Sequence, residues 1–76
     1  MQPTSVECYA GASYPERPRA FIWKGRRLTV DAILSRWQDP QGPGFRVRTT
    51  GGSIFLLQYS SGEEAWGASL VDAGST

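Results

Sequence analysis

The stretch FRVRTTGGSIFLLQY, residues 45–59, carries the clearest strand–turn–strand pattern in the chain. Apolar residues and arginines alternate over residues 45–49, and a period of two is typical of a half-buried β-strand. Gly51 and Gly52 follow, and glycine accepts the positive φ that a tight hairpin turn requires. The pattern therefore predicts an antiparallel hairpin whose first strand turns its arginines outward.

The returning strand of this hairpin is largely apolar on both faces. Successive side chains of a strand point to opposite sides of the sheet. One face therefore holds Phe55, Leu57 and Tyr59, and the other holds Ile54, Leu56 and Gln58. Because an apolar face needs cover, we expect the sheet to close into a barrel or a partner subunit to pack against it.

A second hairpin is predicted upstream of the first. Residues 19–23 and 26–30 are short runs that favour β-structure, and they flank Lys24 and Gly25. Gly25 supplies the positive φ of a two-residue turn, so we expect the two runs to pair as antiparallel strands.

Residues 30–37 allow two interpretations. Val30, Ile33, Leu34 and Trp37 have the spacing of an amphipathic helix. A strand with a bulge near Ala32 explains the same apolar positions. The strand is favoured, because the segment is short and follows another strand without a break, whereas isolated helices of this length are marginal.

Segments rich in turn residues divide the rest of the chain. Residues 39–44 contain two prolines and two glycines and predict a loop. Residues 60–63 predict a turn that leads into a last strand at 64–71. Near the N-terminus, residues 6–9 are expected to form a first strand and residues 11–18 an irregular connection.

These elements together predict an all-β fold, either a small SH3-like barrel or a strongly bent antiparallel meander of five or six strands. We expect a single domain over residues 1–76, with an ordered core at about residues 6–71 and frayed tails at 1–5 and 72–76. The expected core consists of Phe21, Ile33, Trp37, Phe45, Val47, Phe55, Leu57 and Trp66.

Composition argues against catalysis by this chain. Its 76 residues include no histidine and one cysteine, so they provide no His/Cys zinc cluster, no Ser-His-Asp triad and no Cys-His dyad. The glycines also lack the spacing of a phosphate-binding loop. We therefore expect no enzyme activity, no cofactor, no metal site and no small-molecule substrate.

Cysteine usage and hydropathy bear on location. Cys8 has no second cysteine with which to form an internal disulfide, and we expect it to be a reduced, buried thiol in a cytoplasmic protein. The longest apolar run, residues 54–57, is far too short to cross a bilayer, so no membrane association is expected.

Charge is unevenly distributed along the chain, although the net charge is only +1. All basic residues fall in residues 17–48, where Asp31 and Asp39 are the only carboxylates, so this segment carries a net charge of +6. The eight basic residues are Arg17, Arg19, Lys24, Arg26, Arg27, Arg36, Arg46 and Arg48.

Six residues form the candidate binding site for nucleic acid or another partner: Trp23, Lys24, Arg26, Arg27, Arg46 and Arg48. Arginine contacts phosphates and carboxylates through two parallel hydrogen bonds, and a surface tryptophan can stack on a base. The structural alternative is that Trp23 packs in the core and that the arginines form surface ion pairs with carboxylates such as Asp31, Glu63 and Glu64.

A family resemblance covers roughly residues 17–66. It is carried by PRAFIWKGRRLTVDAILSRW at residues 18–37, by FRVRT at 45–49, by FLLQY at 55–59 and by Trp66. These segments resemble a bacterial domain family of unknown function. Its members occur as small stand-alone proteins and as C-terminal segments of polymerase-like accessory proteins of mutagenic DNA repair. The resemblance implies no established activity and transfers no functional residue.

Two function classes follow from the sequence. The first is a small non-catalytic cytoplasmic interaction module that binds another protein or associates with itself as a dimer, as the two-sided apolar strand suggests. The alternative is a nucleic-acid-binding small barrel that uses an arginine-rich face with an exposed tryptophan.

Overall fold

A computed structural model describes residues 1–8 and 17–74 of the chain. The described residues form antiparallel strands and include no helix, which confirms the all-β prediction. The predicted end of the first strand at Tyr9, and residues 11–16 of the predicted connection, lie outside the described residues. The seven strands are β1 (Gln2–Thr4), β2 (Val6–Cys8), β3 (Pro18–Trp23), β4 (Arg26–Asp39), β5 (Gly42–Thr49), β6 (Ile54–Ser60) and β7 (Ala65–Asp72).

The N-terminal segment joins the two ends of the sheet. Strands lie in the order β1-β7-β6-β5-β4-β3-β2, so β1 pairs with β7 and β2 pairs with β3. Only Ser5 separates β1 from β2, and its carbonyl accepts a hydrogen bond from the Ile22 amide at 3.1 Å. The five-stranded meander β3–β7 is therefore curled until both of its edges meet one short segment, which confirms a strongly bent antiparallel sheet.

The strand count exceeds five or six because residues that the sequence assigned to a frayed end also pair. Gln2–Thr4 lie against residues 66–68 of β7. Thr4 further ties this end to β3, since its hydroxyl group donates to the Ile22 carbonyl and accepts a hydrogen bond from the Ile22 amide. Residues 75 and 76 lie outside the described part of the chain.

Residues 30–37 belong to the long strand β4, so the helical alternative is wrong and the strand is confirmed. The pairing of β4 with β5 shifts register between Val30 and Ala32 and again between Ile33 and Ser35. The first shift lies where the sequence predicted a bulge. Each bulge inserts an extra residue, bends the strand and increases its twist, which lets the sheet curl.

Both predicted hairpins are present. At the β3–β4 turn Lys24 has φ 51° and Gly25 has φ 80°, the two positive values of the turn that matches the twist of paired strands. At the β5–β6 turn Gly52 has φ 91°, and the Thr49 amide donates to the Ser53 carbonyl at 2.8 Å.

The core fills the inside of the curled sheet. Phe21 meets Phe55 edge to face with ring centroids 4.9 Å apart, so the core joins strands from both halves of the meander. Ile33 and Trp66 are only partly buried, but both pack against the core. The buried hydrophobic residues are Ala20, Phe21, Phe45, Val47, Phe55, Leu57 and Ala68.

Two burial expectations are wrong. Trp37, predicted for the core, is 38% exposed. It lies opposite Gly44, and Gly44 faces outward because its neighbour Phe45 faces inward. Cys8, expected to be buried, is exposed at the end of the short strand β2.

Neighbouring leucines on β6 offer a matched test of this core. Leu57 is fully buried and Leu56 is half-buried on the outer face. Leu57→Ala should lower the free energy of unfolding by about 2–5 kcal/mol, because it leaves a cavity that the curled sheet cannot fill. Leu56→Ala should cost less than about 1.5 kcal/mol. Urea denaturation of both variants checks this expectation, and equal losses would contradict the assignment of faces.

Candidate interaction surface

The six site residues predicted from sequence fall into two groups. Trp23, Lys24, Arg26 and Arg27 surround the β3–β4 hairpin, whereas Arg46 and Arg48 lie on the outer face of β5. Arg48 is opposite Ala32 and Arg46 is opposite Ser35, six and nine residues beyond Arg26 along β4. At most roughly 20 and 30 Å of strand lie between these positions and Arg26. The structure therefore brings together the members of each group but separates the groups along β4.

Two of the arginines form ion pairs. Arg27 meets Glu7 through two parallel hydrogen bonds, from Nε to Oε2 at 2.8 Å and from Nη2 to Oε1 at 2.9 Å. Arg48 meets Asp31, with Nη2 2.8 Å from Oδ2. The alternative of surface ion pairs is thus confirmed for Asp31, and Glu7 is a partner that the sequence did not single out.

The pair of Arg27 and Glu7 shifts the pKa of both groups. The hydrogen bond from Arg27 lowers the pKa of the Glu7 carboxyl group below its ordinary value. The same hydrogen bond raises the pKa of Arg27. Because β2 holds Glu7 and β4 holds Arg27, the pair connects two strands that lie on either side of β3.

Trp23 is half-buried and not a fully exposed platform. Its ring meets Phe55 edge to face at a centroid distance of 5.0 Å, so one side of the indole belongs to the packing of the barrel. Lys24 Nζ lies 5.7 Å from the centroid of the same ring. Stacking of a ligand on Trp23 stays a prediction.

Trp37 is the more exposed tryptophan, and Gly44 makes room for it. A Cβ atom on Gly44 would lie 2.2 Å from Trp37 Nε1 and 2.6 Å from Gln58 Oε1, far closer than such atoms approach. Glycine at this position therefore lets the indole lie across β5. Trp37 Nε1 donates a hydrogen bond to Gln58 Oε1 at 3.0 Å.

Gln58 is itself held by the backbone around it. Its Nε2 donates to the backbone carbonyl of Tyr59 at 2.9 Å, and its other proton is shared between the carbonyl groups of Gly42 and Pro43, both at 3.2 Å. These backbone contacts fix the orientation of the amide group independently of its hydrogen bond with the indole. As a result Trp37 has a satisfied N–H group and a fixed orientation, although more than a third of its surface is exposed.

Outward residues near Trp37 form two neighbouring rows across the sheet. Trp37, Gly44 and Gln58 make one row across β4, β5 and β6. Ser35, Arg46 and Leu56 make the next row across the same strands. We call the outward side chains of these rows the Trp37 face; it consists of Ser35, Trp37, Arg46, Leu56 and Gln58. Leu34, at the second register shift, is 44% exposed nearby.

Beside the Trp37 face, one edge of β4 has no partner strand among the residues that the structure describes. β3 pairs with β4 only at residues 26–29, whereas β5 pairs with β4 from Val30 to Asp39. Residues 30–39 therefore have a neighbouring strand on one side only. We call this side the open edge of β4.

The sequence did not identify the Trp37 face. The spacing of Leu34 and Trp37 fitted a helix as well as a strand, and the register shifts that turn Trp37 outward leave no unambiguous mark in the sequence. One signal was available. If Phe45 points into the core, Gly44 must point outward and leaves space for a large side chain on the adjacent strand.

Within residues 1–8 and 17–74, no three side chains of the metal-ligating types lie together. No helix among these residues is long and apolar enough to cross a membrane.

Comparison with known proteins gives one match. A family described as a domain of unknown function, DUF6504, matches residues 2–69. No curated protein matches the chain, and no solved structure matches it.

The ion pair of Glu7 and Arg27 predicts a pH dependence of stability. Because the folded pKa of Glu7 is lowered, the unfolded chain binds more protons as the pH falls below the ordinary pKa of glutamate. The pair's contribution is complete above that value and is lost as the pH approaches the lowered pKa. Glu7→Gln should reduce the fall in the free energy of unfolding below the ordinary pKa of glutamate, and Arg27→Gln should reduce it to the same extent. If the free energy of unfolding falls with pH in both variants as it does in the wild type, the ion pair does not stabilise the fold.

Gly44→Ala should displace the indole of Trp37, because the added methyl group would lie 2.2 Å from Nε1. The hydrogen bond to Gln58 is then lost at a cost of about 1 kcal/mol, and the indole proton of Trp37 should exchange faster in NMR spectra. Gly51→Ala is the control, since its Cβ would approach only Thr49 Oγ1, at 4.0 Å. An indole signal that is unchanged by Gly44→Ala would show that Trp37 does not lie over β5.

Proposed function

Because the chain belongs to the DUF6504 family of domains of unknown function, we propose its role from its surface: it is a small non-catalytic module that binds another protein through the Trp37 face. The observation that carries this proposal is the exposed indole of Trp37, held over Gly44 by Gln58. A tryptophan already fixed in place loses little conformational entropy when a partner covers it.

Two residues of the Trp37 face, Trp37 and Arg46, belong to types that are common in protein interfaces. Tryptophan and arginine are enriched among the residues that contribute most to protein–protein binding. Trp37 supplies an apolar anchor and Leu56 adds half-buried apolar surface. Arg46 has no ion pair with any described residue. We place this module in the cytoplasm, because its single cysteine suits a reducing compartment.

A display library of random peptides tests the proposal. Peptides enriched on the wild-type domain should bind with dissociation constants near the micromolar range, and Trp37→Ala should weaken them by roughly thirtyfold, as for an interface tryptophan worth about 2 kcal/mol. Arg26→Gln, at the distant hairpin, is the control and should bind as wild type does.

Sedimentation velocity of the same variants covers self-association. A dimer that Trp37→Ala dissociates would make a second copy the partner. The proposal fails if the wild type is monomeric and enriches no peptide, or if the enriched peptides bind Trp37→Ala as tightly as wild type.

Nucleic-acid binding is a second candidate, favoured by the β3–β4 hairpin. There Lys24 lies over Trp23, and Arg26 has no ion pair with a described residue. The resemblance to bacterial segments attached to polymerase-like repair proteins supports the same candidate. If it is correct, labelled single-stranded DNA should bind more weakly at about 150 mM salt than at about 50 mM. A Lys24→Gln, Arg26→Gln double variant should bind less and show a shallower salt dependence. Equal affinity of this variant would exclude the hairpin.

A further inference from the structure

The geometry points to the kind of partner: an extended acidic segment of another protein that adds as a strand to the open edge of β4 at residues 35–39. This inference rests on the proposed function, because it names the ligand of the same region. Strand addition uses backbone groups for affinity and alternate side chains for specificity.

Residues 35–39 are the regular part of the open edge. Their pairing with β5 runs without a shift from Ser35 opposite Arg46 to Asp39 opposite Gly42. Both register shifts of β4 occur earlier, before Ser35. The regular segment is thus long enough for a short peptide, while the bulges keep the rest of the edge from pairing freely with other strands.

The hydrogen-bond pattern of β5 shows which backbone groups of β4 face the open side. The Thr49 amide donates to Ser53 towards β6, whereas the Thr50 amide donates to Thr29 on β4. Since successive residues of a strand bond to opposite sides, Phe45 also bonds towards β6. Arg36 lies opposite Phe45, so its own N–H and C=O groups point away from β5.

The same alternation applies to Gln38, two residues further along. Gln38 lies opposite Pro43, which has no N–H group and belongs to the β5 residues that bond towards β6. The open edge therefore presents two pairs of backbone groups, those of Arg36 and Gln38. The groups of Ser35 and Trp37 point to β5. An antiparallel peptide strand would form paired hydrogen bonds with the two open positions.

Side chains next to these positions define the peptide that fits. Residues directly opposite each other in a sheet share a face, so the peptide residue opposite Arg36 lies beside the guanidinium group. Arg36 is exposed and has no ion pair with any described residue. A glutamate or aspartate at this peptide position is favoured, and a valine or isoleucine is favoured opposite Trp37.

Charge and backbone geometry distinguish this partner from others. In a two-fold pairing of two copies, Arg36 would face either Arg36 or Gln38 of the second copy, and neither pairing neutralises it. A nucleic acid would neutralise Arg36, but it does not present the regular alternation of donors and acceptors that the open backbone groups match. An acidic extended peptide satisfies both requirements.

A capped heptapeptide of alternating valine and glutamate, with valine at both ends, is the probe. On binding, the amide protons of Arg36 and Gln38 should gain protection from hydrogen exchange, whereas that of Trp37, already bonded to β5, should change little. Methylation of the central glutamate nitrogen should abolish binding, because that N–H points to β4. Methylation of a neighbouring valine nitrogen, which points to solvent, should leave affinity unchanged.

Reversal of the charge at residue 36 provides a second test. A misfolded variant would bind neither peptide, whereas opposite changes for two peptides of opposite charge can come only from the charge itself. Arg36→Glu should weaken the glutamate peptide by about threefold to fivefold and should strengthen a matched lysine peptide by a similar factor. If Arg36→Glu changes the affinity of neither peptide, strand addition beside Arg36 is wrong. Strand addition is also wrong if oligothymidylate displaces the peptide and peptide binding does not protect the Arg36 and Gln38 amides from exchange.

Different results would show that strand addition is wrong and that the proposed function is wrong. If library peptides bind in a manner that depends on Trp37 but the two methylated probes bind alike, strand addition is overturned and the Trp37 face stands. If no peptide binds and the domain is monomeric, both fall.

Discussion

The two register shifts in β4 are the constraint on which the rest of this structure depends. They allow one strand of 14 residues to pair with β3 at its start and with β5 over the remainder. The bend that they introduce curls the meander far enough for its edges to meet the N-terminal segment. The second shift reverses the change of face that the first one causes, so that Trp37 points outward. The side opposite β5 is open because β3 pairs only with residues 26–29. The fold and the candidate site therefore have one physical origin.

Much of the fold was predictable because local patterns and tertiary structure agree. Alternation at residues 45–49, with glycine at both hairpin turns, located both hairpins, and five predicted core residues are fully buried or nearly so. The predicted loop at 39–44 is wrong for most of its length, because β4 extends to Asp39 and β5 begins at Gly42. Side chains were assigned to the wrong face of the sheet where a bulge interrupts the alternation of the strand. A bulge moves every later side chain to the other face, so the number of bulges before residue 37 decides whether Trp37 is core or surface. One bulge turns Trp37 inward, and the second turns it outward again. The sequence indicated a bulge near Ala32 but gave no sign of the second shift.

The candidate site was less predictable than the fold, because it depends on contacts between distant residues. The charge of +6 in residues 17–48 suggested one basic surface. In three dimensions Glu7 pairs with Arg27 and Asp31 pairs with Arg48, and the basic residues are distributed from the start of β3 through β4 to β5. What distinguishes the surface is instead the combination of Gly44, Gln58 and Trp37. Gly44 beside Phe45 is the one signal in the sequence, and the three residues become a unit only through their register on three adjacent strands.

Amide hydrogen exchange of the unliganded domain tests the open edge most directly. The Ser35 and Trp37 amides, which bond to β5, should exchange slowly, while those of Arg36 and Gln38 should exchange at rates close to those of exposed loops. This alternation along a single strand arises only when one side of β4 is paired and the other is open. Uniform protection of all four amides would show that another part of the chain covers this side of β4, so that no peptide could add to it.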